Sequence, residues 1–199
     1  MLLIRGELAT ARNPKQRIIY ESGEPITALG FTETAKQTLL FIVSTNKIMT
    51  YITVGKGQKI NSPQLLDALG CAWGCVTFRE DGEMIAVRDD GIYMYGAESR
   101  GPVYALEGKK SSVTLFKEYI VVTSPPTIET KGIRSAIANV LSRSPDAAEQ
   151  SKISILDIEN KFIVHSGSVT GGIKEIFSSW GSLYVITTDG EVSLFPCLF

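Results

Sequence analysis

The feature that most constrains the fold is a series of four short apolar runs between residues 75 and 108. The runs read CVTF, EMIAVR, IYMYGAES and PVYALEG, and they are rich in Val, Ile, Tyr and Phe. Turn sequences at Gly82, Gly91 and Gly101 separate them, and Asp-Gly and Gly-Pro supply the backbone angles that tight turns need. Four strands in about 34 residues match one four-stranded antiparallel blade of a β-propeller.

The same pattern recurs along the chain. Each copy has an alternating run that ends at a Phe, at positions 31, 78, 116 and 177, and then a more apolar run such as LLFIVS or YIVVTS. These Phe residues are 47, 38 and 61 positions apart, and the last interval contains an insertion of about 25 residues. A period near 40 to 50 residues is typical of propellers, whereas helical solenoids place apolar residues at i, i+3 and i+4. We therefore predict an all-β fold of about 17 strands, a WD40-like β-propeller with four-stranded antiparallel blades.

The repeat also predicts how residues 1–199 divide. A propeller closes to remove its strand edges, and these blades are too few to close, so we expect an incomplete set of blades from a seven-bladed propeller. The third full blade contains an insertion. The predicted segments are a half blade at 1–21, blades at 26–61, 75–108 and 112–167 with the insertion at 125–151, and an incomplete blade at 173–199.

Two short helices are predicted outside the strands. Ser62-Pro63 resembles a helix N-cap followed by Pro, and a helix over residues 64–69 would end at Gly70. In the insertion, four apolar residues have amphipathic helical spacing, so that helix either packs on its own blade or docks a partner. The candidate partner-binding residues are Ile133, Ile137, Val140 and Leu141.

Charge and hydropathy exclude several function classes. The net charge is −1, whereas nucleic-acid binders need a basic surface and anionic membranes attract basic segments. No apolar run is long enough to span a bilayer, and the N-terminus lacks the features of a signal peptide. The 44% of hydrophobic residues is typical of a globular protein.

No residue pattern predicts catalysis, a cofactor or a metal. The carboxylates in Asp-Gly turns are explained by turn chemistry, and the sole histidine, His165, lies in an alternating strand sequence that favours a half-exposed position. Cys71 and Cys75 lack further ligands nearby, so we expect buried reduced thiols. No glycine cluster matches a phosphate-binding motif. The chain is therefore not predicted to be an enzyme.

Two other residue pairs have structural interpretations. We expect Trp73 and Trp180 to pack in the core or at a blade edge, although an exposed Trp would be an interface anchor. Lys109 and Lys110 are expected to be solvated at a hairpin end.

Several stretches resemble the N-terminal propeller of the vacuolar protein sorting-associated protein 11 family. They are LDALGCAWGC (66–75), GIYMYGAESRGPVYALEGKK (91–110), SILDIENKFIVHSG (154–167) and SSWGSLYVITTDGEVSLF (178–195). Their order and spacing also match, and the similarity covers most of the chain. The Trp-Asp dipeptides of WD40 repeats are absent, as is typical of this divergent family.

The resemblance implies a non-enzymatic scaffold subunit of the HOPS and CORVET tethering complexes. These complexes bring endosomal and vacuolar (lysosomal) membranes together through Rab-type GTPases and SNARE proteins, so the implied location is peripheral, on the cytosolic face of those membranes or in the cytosol. The family adds an α-solenoid and a RING-type zinc finger that this sequence does not contain. The alternatives are a generic propeller that binds a peptide or phosphoprotein through a basic or aromatic-lined pocket, and a propeller hydrolase or lyase with a carboxylate or metal cluster in its channel.

Overall fold

The computed structural model describes residues 2–5, 16–33, 38–53, 63–96, 99–127 and 149–195, and within them every regular element is a β-strand. The strands pair in antiparallel ladders, as predicted for an all-β protein built of four-stranded sheets. No helix among the described residues is long and apolar enough to cross a membrane. The strands are β1 (Leu2–Arg5), β2 (Gln16–Tyr20), β3 (Ile26–Glu33), β4 (Thr38–Ser44), β5 (Ile48–Thr53), β6 (Gln64–Asp67), β7 (Val76–Phe78), β8 (Met84–Arg88), β9 (Gly91–Tyr95), β10 (Ser99–Ala105), β11 (Ser112–Phe116), β12 (Tyr119–Thr123), β13 (Gln150–Asp157), β14 (Phe162–Thr170), β15 (Ile173–Ser179), β16 (Ser182–Thr187) and β17 (Val192–Phe195).

The chain forms two compact units, and unit 1 comprises Met1–Ala72. It holds the two-stranded sheet β1-β2 and the four-stranded sheet β3-β4-β5-β6. Strand β4 is buried along nearly its whole length because it lies inside its sheet and is covered on both faces. Its Leu40 and Ile42 form a core cluster with Tyr51, and Tyr20 from β2 packs against that cluster.

The predicted helix over residues 64–69 is wrong, because Gln64–Asp67 is strand β6. Leu65 and Asp67 pair with Met49 and Ile48 of β5, so β6 supplies the fourth strand of the sheet. A helix of six residues is barely stable by itself, whereas pairing with the edge of β5 satisfies the backbone donors and acceptors of that edge. Pro63 precedes the strand, where its missing N–H costs no ladder bond.

Unit 2 comprises Trp73–Phe199 and contains three sheets, β7-β8-β9-β10, β11-β12-β13-β14 and β15-β16-β17. The first strands of these sheets, β7, β11 and β15, are neighbours, as the inner strands of propeller blades are. The second and third sheets share a core in which Leu183 and Val185 of β16 pack with Phe116, Val121 and Ile155. Pro102 lies in β10, an edge strand, where Pro is tolerated.

Burial of the second strand differs between the sheets. Strands β8 and β12 are buried in continuous runs, whereas β16 alternates between buried and half-buried residues. Leu183 and Val185 face the shared core, while Tyr184 faces the other side, where its cross-strand partners Phe177 and Leu194 are exposed. One face of the last sheet is therefore apolar and accessible to solvent.

Candidate functional site

A cavity of about 510 Å³ lies in unit 2 where several hairpin turns meet. The β7–β8 turn contributes Arg79, Glu80 and Asp81, and the β11–β12 turn contributes Lys117 and Glu118. The β13–β14 turn adds Glu159, and β15 adds Ser178. Apolar side chains line the rest of its wall: Leu115, Ile120 and Ile158. We call this pocket the acidic cavity, for the charge balance described next.

Acidic groups outnumber basic groups around this cavity and the one beside it. The second cavity, of about 430 Å³, shares Arg79, Asp81 and Glu159 with the first and adds Glu83 and Lys161. Together the two cavities have five carboxylates and three cations in their walls. Charges in a partly enclosed site are screened less than on an open surface, so this end of unit 2 attracts cations.

Arg79 connects the carboxylates of the cavity wall. Its guanidinium lies 3.5 Å from Asp81, 3.7 Å from Glu83 and 3.8 Å from Glu159. The first two carboxylates belong to its own turn, and Glu159 reaches it from another sheet. Partly exposed ion pairs of this kind each contribute about 0–1 kcal/mol, so their main effect is to orient the side chains.

The turn that carries Glu159 is shaped by Asp157. Its carboxylate accepts hydrogen bonds from the Asn160 backbone N–H and side-chain amide, both at 2.9 Å. These bonds favour the charged carboxylate and lower the pKa of Asp157, with the side-chain bond from Asn160 as the larger cause. Lys161 completes the turn with a positive φ of 58°.

Trp180 stands at the tip of the β15–β16 hairpin, two residues after Ser178, which lines the cavity. The turn consists of Trp180 and Gly181, and Ser179 pairs with Ser182 to close it. Both central residues have positive φ, 47° and 73°, which is the requirement of a type I′ turn. The expected packing of the tryptophans is wrong, because Trp180 is 94% exposed and Trp73 is 67% exposed.

The four candidate partner-binding residues, Ile133, Ile137, Val140 and Leu141, lie outside the described residues.

Other predicted features have positions in the structure. His165 is exposed on β14, and Cys71 and Cys75 are buried, as expected. Lys110 differs from its expected solvated position: its ammonium donates hydrogen bonds to the Leu106 and Gly108 carbonyls, and burial lowers its pKa. Within the described ranges, no group of three or more His, Cys, Asp or Glu side chains could hold a metal ion.

The turn carboxylates were predicted individually but not as a group. Asp81 accepts a bond from the Glu83 backbone N–H at 3.0 Å, as turn chemistry requires. The same turn also carries Arg79, Glu80 and Glu83 into the walls of the two cavities. Sequence spacing did not predict that these residues share cavity walls with Glu118 and Glu159, because those two residues come from other turns.

Comparisons with known proteins agree with the fold. Among solved structures, the computationally designed Ika4 protein has a TM-score of 0.56 at 12% identity, covering 89% of this chain and 94% of Ika4. That similarity concerns the fold alone. Among characterised proteins, the vacuolar protein sorting-associated protein 11 homologs of mouse and human are 32% and 31% identical over 194 residues, and that of Dictyostelium discoideum is 30% identical over 216.

Each of these three relatives covers 96% of the chain, and the chain spans 20% to 22% of their length. The sequence profile described as PEP5/VPS11 N-terminal matches residues 1–195. The segments quoted above on resemblance all fall within that match. The chain belongs to the PEP5/VPS11 N-terminal family.

Proposed function

We propose that the chain is a non-enzymatic scaffold module of a HOPS/CORVET-type tethering complex, which acts in endosome-to-vacuole (lysosome) protein transport and membrane fusion. One observation carries the proposal: relatives named for vacuolar protein sorting match 96% of the chain. Its partners would be other tethering subunits, Rab-type GTPases and SNAREs. It would work at the cytosolic face of late endosomes and vacuoles, held there through the complex.

The architecture suits a scaffold. Sheets with continuously buried second strands are stiff, because close-packed cores resist deformation, so they hold surface turns at fixed positions. The short hairpin turns then present side chains from several sheets to one partner. Binding would rest on that surface.

The proposed division into blades of a larger propeller has a physical basis in the last sheet. Tyr184, Phe177 and Leu194 form an apolar row on its accessible face. Apolar rows of this kind are normally covered by a neighbouring layer. We propose that a further blade of the same propeller covers this row.

The experiment that tests the scaffold proposal is affinity purification of the tagged protein from its own cells, followed by identification of the proteins retained. Retention of several tethering subunits in stable stoichiometry is expected. Cells that lack the protein should missort vacuolar hydrolases. Purification of a monomer, together with normal hydrolase sorting in its absence, would overturn the proposal.

The predicted helix of the insertion is a second proposed contact for a partner subunit. Ile137→Asp and Leu141→Asp would place a charge on its apolar side and weaken retention of the partner on the order of tenfold or more. Asn139→Asp is the matched control, because it adds the same charge in the same segment at a position outside the apolar spacing. Equal retention by all three variants would exclude the helix.

The alternative of a phosphoprotein-binding propeller fits less well. A phosphate carries about two negative charges and needs clustered cations. The cavity walls instead carry Glu80, Glu118 and Glu159, and Arg79 is already shared among carboxylates. A basic ligand suits this surface better than an acidic one.

A further inference from the structure

The residue that the fold itself does not explain is Trp180. Bulky residues rarely adopt positive φ, and the first position of a type I′ turn favours Asn, Asp or Gly. Trp180 nevertheless occupies that position with φ 47°, and 94% of its surface is exposed. Trp180 therefore stabilises neither the turn nor the core, and another residue would suit this turn better.

The hairpin that carries Trp180 also lines the acidic cavity. Ser178, two residues before it, lies in the wall of the acidic cavity, so the Trp180 backbone lies about 7 Å along the hairpin from a residue that lines the cavity. The cavity has an apolar portion formed by Leu115, Ile120 and Ile158. A large exposed aromatic beside a pocket with apolar and charged walls is the arrangement of an interface hot spot.

The charges decide the kind of ligand. The carboxylates of the two cavities outnumber the cations, and Glu159 is highly exposed, with 80% of its side chain accessible. Anionic lipid headgroups would meet these carboxylates, which opposes membrane binding. Lys and Arg side chains would be attracted to them, and a cation is also attracted to the face of an indole ring.

We propose that this end of unit 2 binds a basic segment of a partner protein, in which a Lys or Arg side chain contacts the Trp180 ring and an adjacent apolar side chain enters the acidic cavity. This inference goes beyond the proposed scaffold function and does not depend on the identity of the complex. Its failure would leave the tethering proposal standing, since the latter is tested by co-purification.

The test measures binding of a defined probe to the full-length protein. A fluorescein-labelled peptide that repeats Arg-Leu-Gly is titrated by fluorescence anisotropy at physiological salt, and a peptide that repeats Glu-Leu-Gly is the charge-inverted control. The basic peptide should bind and the acidic one should not. Trp180→Asn and Glu159→Lys should each weaken binding on the order of tenfold.

Two matched variants distinguish the loss of this site from the general effects of removing a tryptophan or reversing a charge. Trp73→Asn removes the other exposed tryptophan, and Glu107→Lys reverses an exposed charge on the β10–β11 connection, outside both cavities. Both should bind the basic peptide as the unsubstituted protein does. Because Asn-Gly is a favoured type I′ sequence, Trp180→Asn keeps the hairpin folded, and loss of binding cannot be attributed to misfolding.

Several results would overturn the proposal. These are absence of binding to the basic peptide, equal binding of the acidic peptide, or unchanged affinity in Trp180→Asn. A lower melting temperature for Trp180→Asn would also overturn it, because the indole would then be covered within the protein. Binding to vesicles of phosphatidylcholine and phosphatidylserine that requires Trp180, without peptide binding, would replace the protein partner with a membrane.

Discussion

Gly70 lies so close to Ser44 that a Cβ added at position 70 would be 2.2 Å from the Ser44 carbonyl oxygen. The neighbouring Cys71 N–H donates a hydrogen bond to that same carbonyl at 3.0 Å, and the Thr27 hydroxyl donates to the Cys71 carbonyl at 2.8 Å. These bonds fix the segment after β6 against the end of β4. Glycine is required here by close backbone approach.

Gly70→Ala should therefore lower the free energy of unfolding by about 1–3 kcal/mol, because the backbone must move to accept the methyl group. Urea unfolding monitored by circular dichroism measures the change. Gly23→Ala is the control in the same unit, since nothing lies within 4 Å of a Cβ at that position. Equal stability of the two variants would contradict the close approach.

The strands could be predicted from sequence because they depend on local alternation and turn residues. The turn predicted at Gly91 separates β8 from β9 through Asp89-Asp90, and the delayed run after the insertion is β13. The turn predicted at Gly101 is wrong, because Gly101 lies within β10 at a register shift against β9. The predicted helix over residues 64–69 is wrong because pairing with a strand outside the segment determines its structure. Ser62-Pro63 is a genuine local helix signal, but the open edge of β5 stabilises a strand there instead.

The candidate site could not be predicted from sequence patterns. Arg79 and Glu159 are 80 positions apart and meet only because two sheets lie side by side. The exposure of Trp180 is likewise a tertiary property, since the dipeptide Trp-Gly fits a packed or an exposed turn equally well. The sequence shows which turns carry charged residues, but only the arrangement of the sheets determines which of these residues line the same cavity.

The turn at Trp180 should be more stable with a different residue. Trp180→Asn gives the Asn-Gly sequence that type I′ turns favour, and we expect the free energy of unfolding to rise by about 0.5–1 kcal/mol. Trp180→Val should lower it, because a β-branched residue is strained at positive φ. Thermal unfolding of the pair measures both signs. A Val variant as stable as the Asn variant would contradict the type I′ geometry.

The two faces of the last sheet should respond differently to truncation. Leu183 is fully buried in the core shared with β11–β14, whereas Leu194 on the other face is 59% exposed. In this 199-residue chain, Leu183→Ala should cost about 2–5 kcal/mol of unfolding free energy and Leu194→Ala within about 0.5 kcal/mol. Urea unfolding compares them. A cost for Leu194→Ala close to that for Leu183→Ala would show that residues of this chain, and not a further blade, cover that face.

The Asp157 carboxylate should respond to removal of the Asn160 side chain. That amide is the main cause of the lowered pKa of Asp157, and the Asn160 backbone N–H is the second. Asn160→Ala should therefore raise the pKa part of the way back toward the usual value of about 3.9. Carboxyl carbon chemical shifts followed by NMR over an acid titration measure it. Asn46→Ala, which removes the same side chain from an exposed turn of unit 1, should leave the pKa unchanged.

The sign of the stability effect follows from the direction of the pKa. A carboxylate with a lowered pKa in the folded state contributes stability above its unfolded pKa, and this contribution is lost as the pH falls through the folded value. Asn160→Ala should thus reduce stability near neutral pH and converge with the unsubstituted chain well below about pH 4. The difference should be small because Asp157 is partly exposed to solvent. A stability difference that persists unchanged into strong acid would show that Asn160 acts through turn geometry and not through the charge of Asp157.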